Sequence, residues 1–216
     1  MAGTLYVVAT PIGNLEDITV RAIKILLTTE VIACEDTRRT GQLVKILSER
    51  FPQYLGEGHK KFISVRDWNE GKMVSLLLGY LVHSDVALVS DAGTPLISDP
   101  GFKVVRAARE AGFNVSPIPG PSAVTAALSV SGLPTNKFIF LGFLGKKWEL
   151  LPGYTHVIYE SPVRVSKTID KIRLKYPRAE IVMAWELTKI HERITYNVSS
   201  ITGDLKGEVT VLVYLP

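Results

Sequence analysis

The sequence has one cysteine, Cys34, among 216 residues. No intrachain disulfide can form, and a metal centre built on several thiolates is excluded. That scarcity fits a reducing compartment, and a cytoplasmic location is expected. Long apolar runs are missing as well. None reaches the roughly 18 residues that a membrane-spanning helix needs, so no membrane association is expected. The opening stretch MAGTLYVVATPIG has no basic segment ahead of its apolar run and meets Pro11 early, so it reads as a first strand and not as a secretion signal. Nucleotide-binding signatures are absent too. Gly-x-Gly-x-x-Gly does not follow the first strand, and Gly-x-x-x-x-Gly-Lys-Ser/Thr occurs nowhere, which argues against a P-loop nucleotidase. His191-Glu192 lacks the second histidine of a zinc-protease helix, and no other metal-ligand spacing is present, so no metal is expected.

What remains is the composition of a globular chain. Hydrophobic residues make up 46% and charged residues 21%, enough for a substantial core and too apolar for global disorder. The net charge of +4 and pI of about 9.1 suit a polyanionic partner. The basic pairs Arg38-Arg39, Lys60-Lys61 and Lys146-Lys147 are scattered, as on any solvated surface.

Along residues 5–118, short apolar runs alternate with helical spacing. Strands are expected at 5–9, 31–34, 62–64, 86–90 and 115–118, with helices at 18–27, through 43–47, at 73–82 and at 104–111. That alternation predicts a mostly parallel sheet with helices on both faces. The pattern changes at PIPGP, residues 117–121, where three prolines and one glycine make a stiff connection. Ser122 can cap a helix running to about Ser131, followed by strands at 138–142, 157–159, 181–185, 194–197 and 209–214 and one long helix at 163–176. The expectation is two α/β domains: residues 1–116 with a parallel sheet, and residues 117–216 with a mixed sheet.

Several strand ends carry chemistry-bearing residues. SDAGTPLISDPG, residues 90–101, follows the clearest buried strand and precedes a helix. Ligands of open α/β sheets bind at the carboxyl ends of strands, and Ala92 and Gly93 leave a ligand access to the backbone. Asp99 with Pro100 suits the start of the next helix. Asp91, Gly93 and Pro95 are not needed for a structural turn, which favours a ligand loop. TPIGNLEDIT, residues 10–19, leaves a structural loop and a ligand loop both open, with Asp17 able to cap the following helix. EDTRRT, residues 35–40, brings two carboxylates and two guanidinium groups to a strand end. Arg38 or Arg39 can hold a phosphate with a bidentate fork, while Asp36 or Thr37 suits a helix cap. Tyr159-Glu160-Ser161 and Glu186-Leu187-Thr188 end two strands of the second half.

The ordered blocks VATPIGNLEDIT, EDTR, SDAGTPLISDPG, PIPGPSAV, SGLPTNKFIFLGFL, YESPVR, ELTKIHE and GEVTVLV extend from Val8 to Val213. Together they resemble the ribosomal RNA ribose-methylating branch of the tetrapyrrole-methylase family. The resemblance implies the class III methyltransferase fold, two α/β domains with a cleft between them, and a homodimer. It implies S-adenosylmethionine as cofactor, held by Asp91, Gly93, Thr94, Pro95, Ile97, Ser98, Ser122 and Ala123. The backbone around Tyr159, Glu160 and Ser161, together with Leu187, is expected to close over the adenosine. The implied partner is ribosomal RNA or the small ribosomal subunit, with a cytidine 2′-hydroxyl as acceptor and ATPIGN and EDTR facing it. Because a ribose hydroxyl is a poor nucleophile, Glu35 or Asp36 is expected to accept its proton, with Arg38 steadying the RNA backbone and Asp91 or Glu186 as alternative bases. The sequence departs from the usual pattern of that branch at Val163, at Gly145 and over residues 65–70, and it stops at Pro216 without the extension many members carry. Acceptor choice is then expected to rest on the cleft and the partner subunit.

Overall fold

Residues 2–199 and 206–216 are described by a computed structural model of the chain. The chain divides into two compact units, Met1–Pro121 and Ser122–Pro216. Residue 116, where the sequence analysis sets the boundary, lies inside a strand that stays paired to its neighbour through Val8 and Ile118.

In the first unit, β1 (Thr4–Val8), β2 (Val31–Cys34), β3 (Lys61–Ser64), β4 (Val86–Leu88) and β5 (Asn114–Ile118) form one sheet in the order β3-β2-β4-β1-β5. Every pair is parallel. The central strands β2 and β4 are buried at every position, as strands covered on both faces must be. On one face, α1 (Val20–Thr28) and α2 (Thr37–Arg50) set Ala22, Leu26, Val44 and Leu47 against Val8, Ile32 and Ala87. On the other, α3 (Glu70–Leu81) and α4 (Phe102–Glu110) set Leu77, Leu81, Val104 and Ala108 against Leu5, Val31 and Leu88. The chain leaves β1 and β2 toward the first face and leaves β4 toward the second. The carboxyl end of β4 therefore lies between connections that diverge, the place where open α/β sheets bind ligands.

Two helix starts differ from expectation. The cap of α1 is Thr19, whose hydroxyl accepts from the Ala22 amide at 3.2 Å; Asp17 instead ends a single 3-10 turn, Leu15–Asp17. Asp99 does not cap α4, and Pro100 stands before its cap, Gly101. The orphan amides of Gly101 and Lys103 donate to the Glu70 carboxylate at 3.0 and 2.7 Å. A buried acid reaching across from α3 does the capping and meets the positive end of the helix dipole.

The second unit begins with α5 (Ala123–Val130). Ser122 occupies its cap position, although its hydroxyl makes no capping bond. The sheet runs β6-β7-β10-β8-β9, from β6 (Phe138–Phe143), β7 (Thr155–Glu160), β8 (Glu180–Trp185), β9 (Arg193–Thr195) and β10 (Val209–Tyr214). Only the β6–β7 pair is parallel, so the sheet is mixed. α6 (Pro162–Lys175) buries Val165, Ile169 and Ile172 on one face, and α5 buries Val124, Ala127 and Leu128 on the other. The fourth expected strand of this half is shorter than predicted, because Asn197 turns the chain with φ of 51°.

Candidate active site

The loop after β4 is pinned by backbone bonds. Thr10 and Gly93 exchange both peptide hydrogen bonds, at 2.9 and 3.0 Å. The Thr10 hydroxyl donates to the Ser90 carbonyl at 3.3 Å, and the Thr94 hydroxyl donates to the Pro121 carbonyl at 3.0 Å. The ends of β1, β4 and β5 are thereby tied together. Gly93 has φ of 79°, and a Cβ there would sit 3.2 Å from the Ile12 methyl Cγ2. Beyond it, Leu96 and Ser98 also take left-handed conformations, with φ of 70° and 69°. Non-glycine residues rarely adopt that region, at a cost of about 1–3 kcal/mol each, and such strain concentrates at ligand sites. Left-handed residues alternating with others are also the backbone pattern of concave N–H nests. Ile97, between the two, is 38% exposed.

The residues after β2 meet this loop. The Asp36 amide donates to Asp91 Oδ1 at 3.0 Å, and Arg39 pairs with Asp91 Oδ2 at 3.3 Å. Asp36 is the cap of α2 and accepts from the Arg38 amide at 2.8 Å, while the Arg38 guanidinium lies 3.2 Å from its second oxygen. The side-chain bond from Arg38, followed by the backbone bond, holds the Asp36 carboxyl down at about 2. Glu35 goes the other way. Burial first, then the charges of Asp91 and Asp67, push its carboxyl above the ordinary value. The two adjacent acids therefore differ in kind: Asp36 is a fixed anion, and Glu35 is an acid that gains a proton more readily. Directly before them Cys34 is buried, and burial raises its thiol to about 11.

Sequence reasoning treated Asp99 as a helix cap and missed its surroundings. Burial pushes its carboxyl up to about 6, against the opposing hydrogen bond from Ser90, and Glu35, Asp91 and Asp67 add repulsion. An Asp-Pro pair before a helix gives no sign of this, because that pair already suits a helix start.

In the second unit, Glu160 is buried and fully engaged. It accepts from the Ser161 amide at 2.7 Å, from the Thr168 hydroxyl at 2.7 Å and from Arg164 at 2.8 Å. Its carboxylate anchors the start of α6 and is not available to a ligand. Tyr159 packs edge-on against Phe140, 4.9 Å between ring centres. Tyr159 and Leu187 both pack on the same core cluster as Val124 of α5. The start of α5, with Ser122 and Ala123, and the ends of β7 and β8 thus share one face of the second sheet. Leu187 sits between Glu186 and Thr188, whose φ values are 50° and 65°. Glu186 accepts from Lys189 at 2.8 Å and from the Glu208 amide at 2.8 Å; the Lys189 bond leads in holding its carboxyl below the ordinary value.

The sequence pattern described as Tetrapyrrole (Corrin/Porphyrin) Methylases matches residues 4–201. The chain belongs to the tetrapyrrole methylase family. Among its relatives there, the ribosomal RNA small subunit methyltransferase I of Hydrogenobaculum sp. strain Y04AAS1 is 45% identical, over 97% of this chain and 94% of its own. The protein of the same name from Vibrio cholerae serotype O1 is 44% identical, over 99% of this chain and 77% of its own. Among solved members, uroporphyrin-III C-methyltransferase from Thermus thermophilus, complexed with S-adenyl homocysteine, superposes with a TM-score of 0.60 at 19% identity. That alignment covers 97% of each chain, and it shows the tetrapyrrole methylase fold.

Proposed function

We propose that the protein transfers a methyl group from S-adenosylmethionine to small-subunit ribosomal RNA, at the 2′-hydroxyl of a cytidine. The observation that carries this reading is 45% identity over nearly the whole chain to a ribosomal RNA small subunit methyltransferase I. The site chemistry fits such a donor. An adenosine carrying an amino-acid tail needs peptide groups to bond with and small residues that allow close approach. The loop carrying Asp91, Gly93, Thr94, Pro95, Ile97 and Ser98 supplies both, with its left-handed backbone at Gly93, Leu96 and Ser98. Ser122, Ala123, Tyr159, Leu187 and the backbone around Glu160 and Ser161 are the remaining proposed donor contacts.

When bound, the donor supplies an electrophilic methyl group on a sulfonium. The chain's own residues then have to orient the acceptor in line with it and take up its proton. Glu35 is the proposed proton acceptor, since its partial burial raises its basicity. Asp36 holds the Arg38 guanidinium, and Arg38 meets an RNA phosphate. We also propose that the protein acts as a homodimer, with Phe138 and Phe143 on the edge strand β6, 45% and 58% exposed, in the shared surface; sedimentation on dilution tests this.

The deciding experiment is labelled-methyl transfer to small ribosomal subunits, free ribosomal RNA and a porphyrinogen in parallel, with nucleoside analysis of the product. 2′-O-methylcytidine from the RNA arms is expected, and transfer to the porphyrinogen alone overturns the reading. Within that assay, Glu35→Gln should lower kcat by about 10²-fold or more, the usual worth of a general base. The wild-type rate should fall as pH drops through the raised Glu35 pKa, and Glu35→Gln should abolish that acid limb while Asp36→Asn keeps it. An acid limb that survives Glu35→Gln rules Glu35 out as the base.

A further inference from the structure

Trp68 has no structural reason to be where it is. It stands at the apex of the turn between β3 and α3 and is 78% exposed. A large apolar ring left in water is the informative exception among surface residues. The turn beneath it is held firmly. The buried Asn69 accepts from the Arg66 amide at 2.7 Å, donates to the Ser64 carbonyl at 3.1 Å, and donates its own amide to the Arg66 carbonyl at 3.0 Å. Val65 is tied to the end of β2 by its amide, 2.8 Å from the Cys34 carbonyl. The ring is therefore presented outward by a pinned backbone.

Its neighbourhood adjoins the site and sets exposed cations beside the acids Glu35 and Asp67. β2 and β3 are paired, Cys34 opposite Ser64, so the turns leaving them start side by side. Arg66 Nε donates to the Glu35 carbonyl at 3.2 Å, linking the Trp68 turn to the proposed base. Arg66 and Lys72 are exposed on either side of the ring in sequence. Arg38 and Arg39, on the adjoining turn, keep 89% and 71% of their side-chain surface in solvent despite their ion pairs. An exposed aromatic face among cations is the arrangement that binds single-stranded nucleic acid: the cations follow the phosphates and the ring stacks on a base.

We infer that Trp68 stacks on an unpaired nucleobase of the RNA near the methylated ribose and so fixes the position of the acceptor strand. This rests on the RNA-methylating function proposed above. The test compares wild type, Trp68→Ala and Trp68→Phe, using an unstructured cytidine-containing RNA oligonucleotide and a fully paired duplex as ligands. Trp68→Ala should weaken binding of the unpaired RNA on the order of tenfold, the usual loss for one stacked base. A neutral ring releases no counterions, so the loss should be the same at every salt concentration. Duplex affinity and S-adenosylmethionine affinity should not move. Trp68→Phe should keep most of the affinity while losing the fluorescence quenching that RNA causes in wild type. If wild type methylates the RNA but Trp68→Ala binds it equally well, the inference falls and the proposed function stands. An equal loss for duplex, or a change in sedimentation in place of RNA affinity, also overturns it, the latter by placing the ring between copies of the chain. If wild type neither binds nor methylates RNA, both readings fall together.

Discussion

The loop after β4 and the segment after β8 adopt the same local shape by different means. Each flanks one candidate donor contact with two left-handed residues, Leu96 and Ser98 around Ile97, and Glu186 and Thr188 around Leu187. A strained shape persists only where its surroundings over-determine it. In the first unit the support around Gly93 is neutral, the paired peptides of Thr10 and Gly93 and the hydroxyl bond from Thr94, and the one ion pair, Arg39 with Asp91, lies at the head of the loop with the arginine largely in solvent. In the second, backbone bonds from Glu186 to Glu208, Lys189 to Glu186 and Glu192 to Lys189 are joined by a charged network. Lys189 bridges Glu186 and Glu208 at 2.8 and 2.9 Å, and the Thr188 amide donates to Glu192 at 2.6 Å. Gly207 leaves room for the Glu186 carboxylate, where any Cβ would collide with it. Backbone bonds between neutral groups do not titrate and are not screened by salt, whereas ion pairs do both. The two segments should therefore fail under different conditions.

The largest effect expected is from Gly93→Val. A β-branched side chain at φ of 79°, pressed on Ile12, attacks the neutral brace directly. It should cost about 2 kcal/mol in urea unfolding and reduce donor affinity by more than about tenfold. Calorimetry showing undiminished donor affinity in the folded variant would break the link between this loop shape and the donor. Next comes Glu186→Gln, which keeps the shape and removes the charge. A loss of about 1 kcal/mol is expected at low salt, shrinking as salt rises. Because the folded-state pKa of Glu186 is lowered, its contribution is complete above the ordinary glutamate value and is lost as pH falls through the lowered one. Wild type and Glu186→Gln should converge in acid; a gap that ignores both salt and pH contradicts the ionic account.

The smallest effect sharpens the contrast, because the first loop carries one titrating group of opposite sense. Asp99 has its pKa raised to about 6 by burial. Its favourable contribution is complete below the ordinary aspartate value and is lost as pH rises through about 6. Asp99→Asn should therefore raise the thermal midpoint by on the order of a degree or two near about pH 8 and by nothing near about pH 4. A destabilised Asp99→Asn at the higher pH would mean that the ionised form is held favourably.

Much of the fold was legible because its signals are local. β2, β4 and β10 read as strands from VIAC, VAL and VTVLVY, runs whose composition suffices. The change to a mixed sheet was legible from PIPGP and the strand-rich stretch after it. What escaped depends on distance along the chain. The acid that caps α4 comes from Glu70, 31 residues before Gly101. Nothing near Asp99 in sequence reveals that Glu35, Asp67 and Asp91 crowd it. The contrast between Glu35 and Asp36 was equally hidden, since it arises from the burial of Glu35 beside Asp91 and from the Arg38 bond to Asp36. Trp68 escaped for a different reason: apolar residues are expected inside, and only coordinates show a ring standing out.

The buried thiol beside Glu35 has a practical consequence. Cys34 is the sequence's only cysteine, and burial keeps it protonated at neutral pH. A thiolate is the reactive form, so maleimides and disulfide reagents find almost nothing to attack in the native protein. The chain thus comes ready for site-directed labelling. A cysteine introduced on any exposed turn takes a fluorophore or spin probe alone, with no need to remove the natural thiol. Reaction at Cys34 itself then marks those molecules in which β2 has left its sheet, giving each labelled sample an internal clock for opening of the first unit.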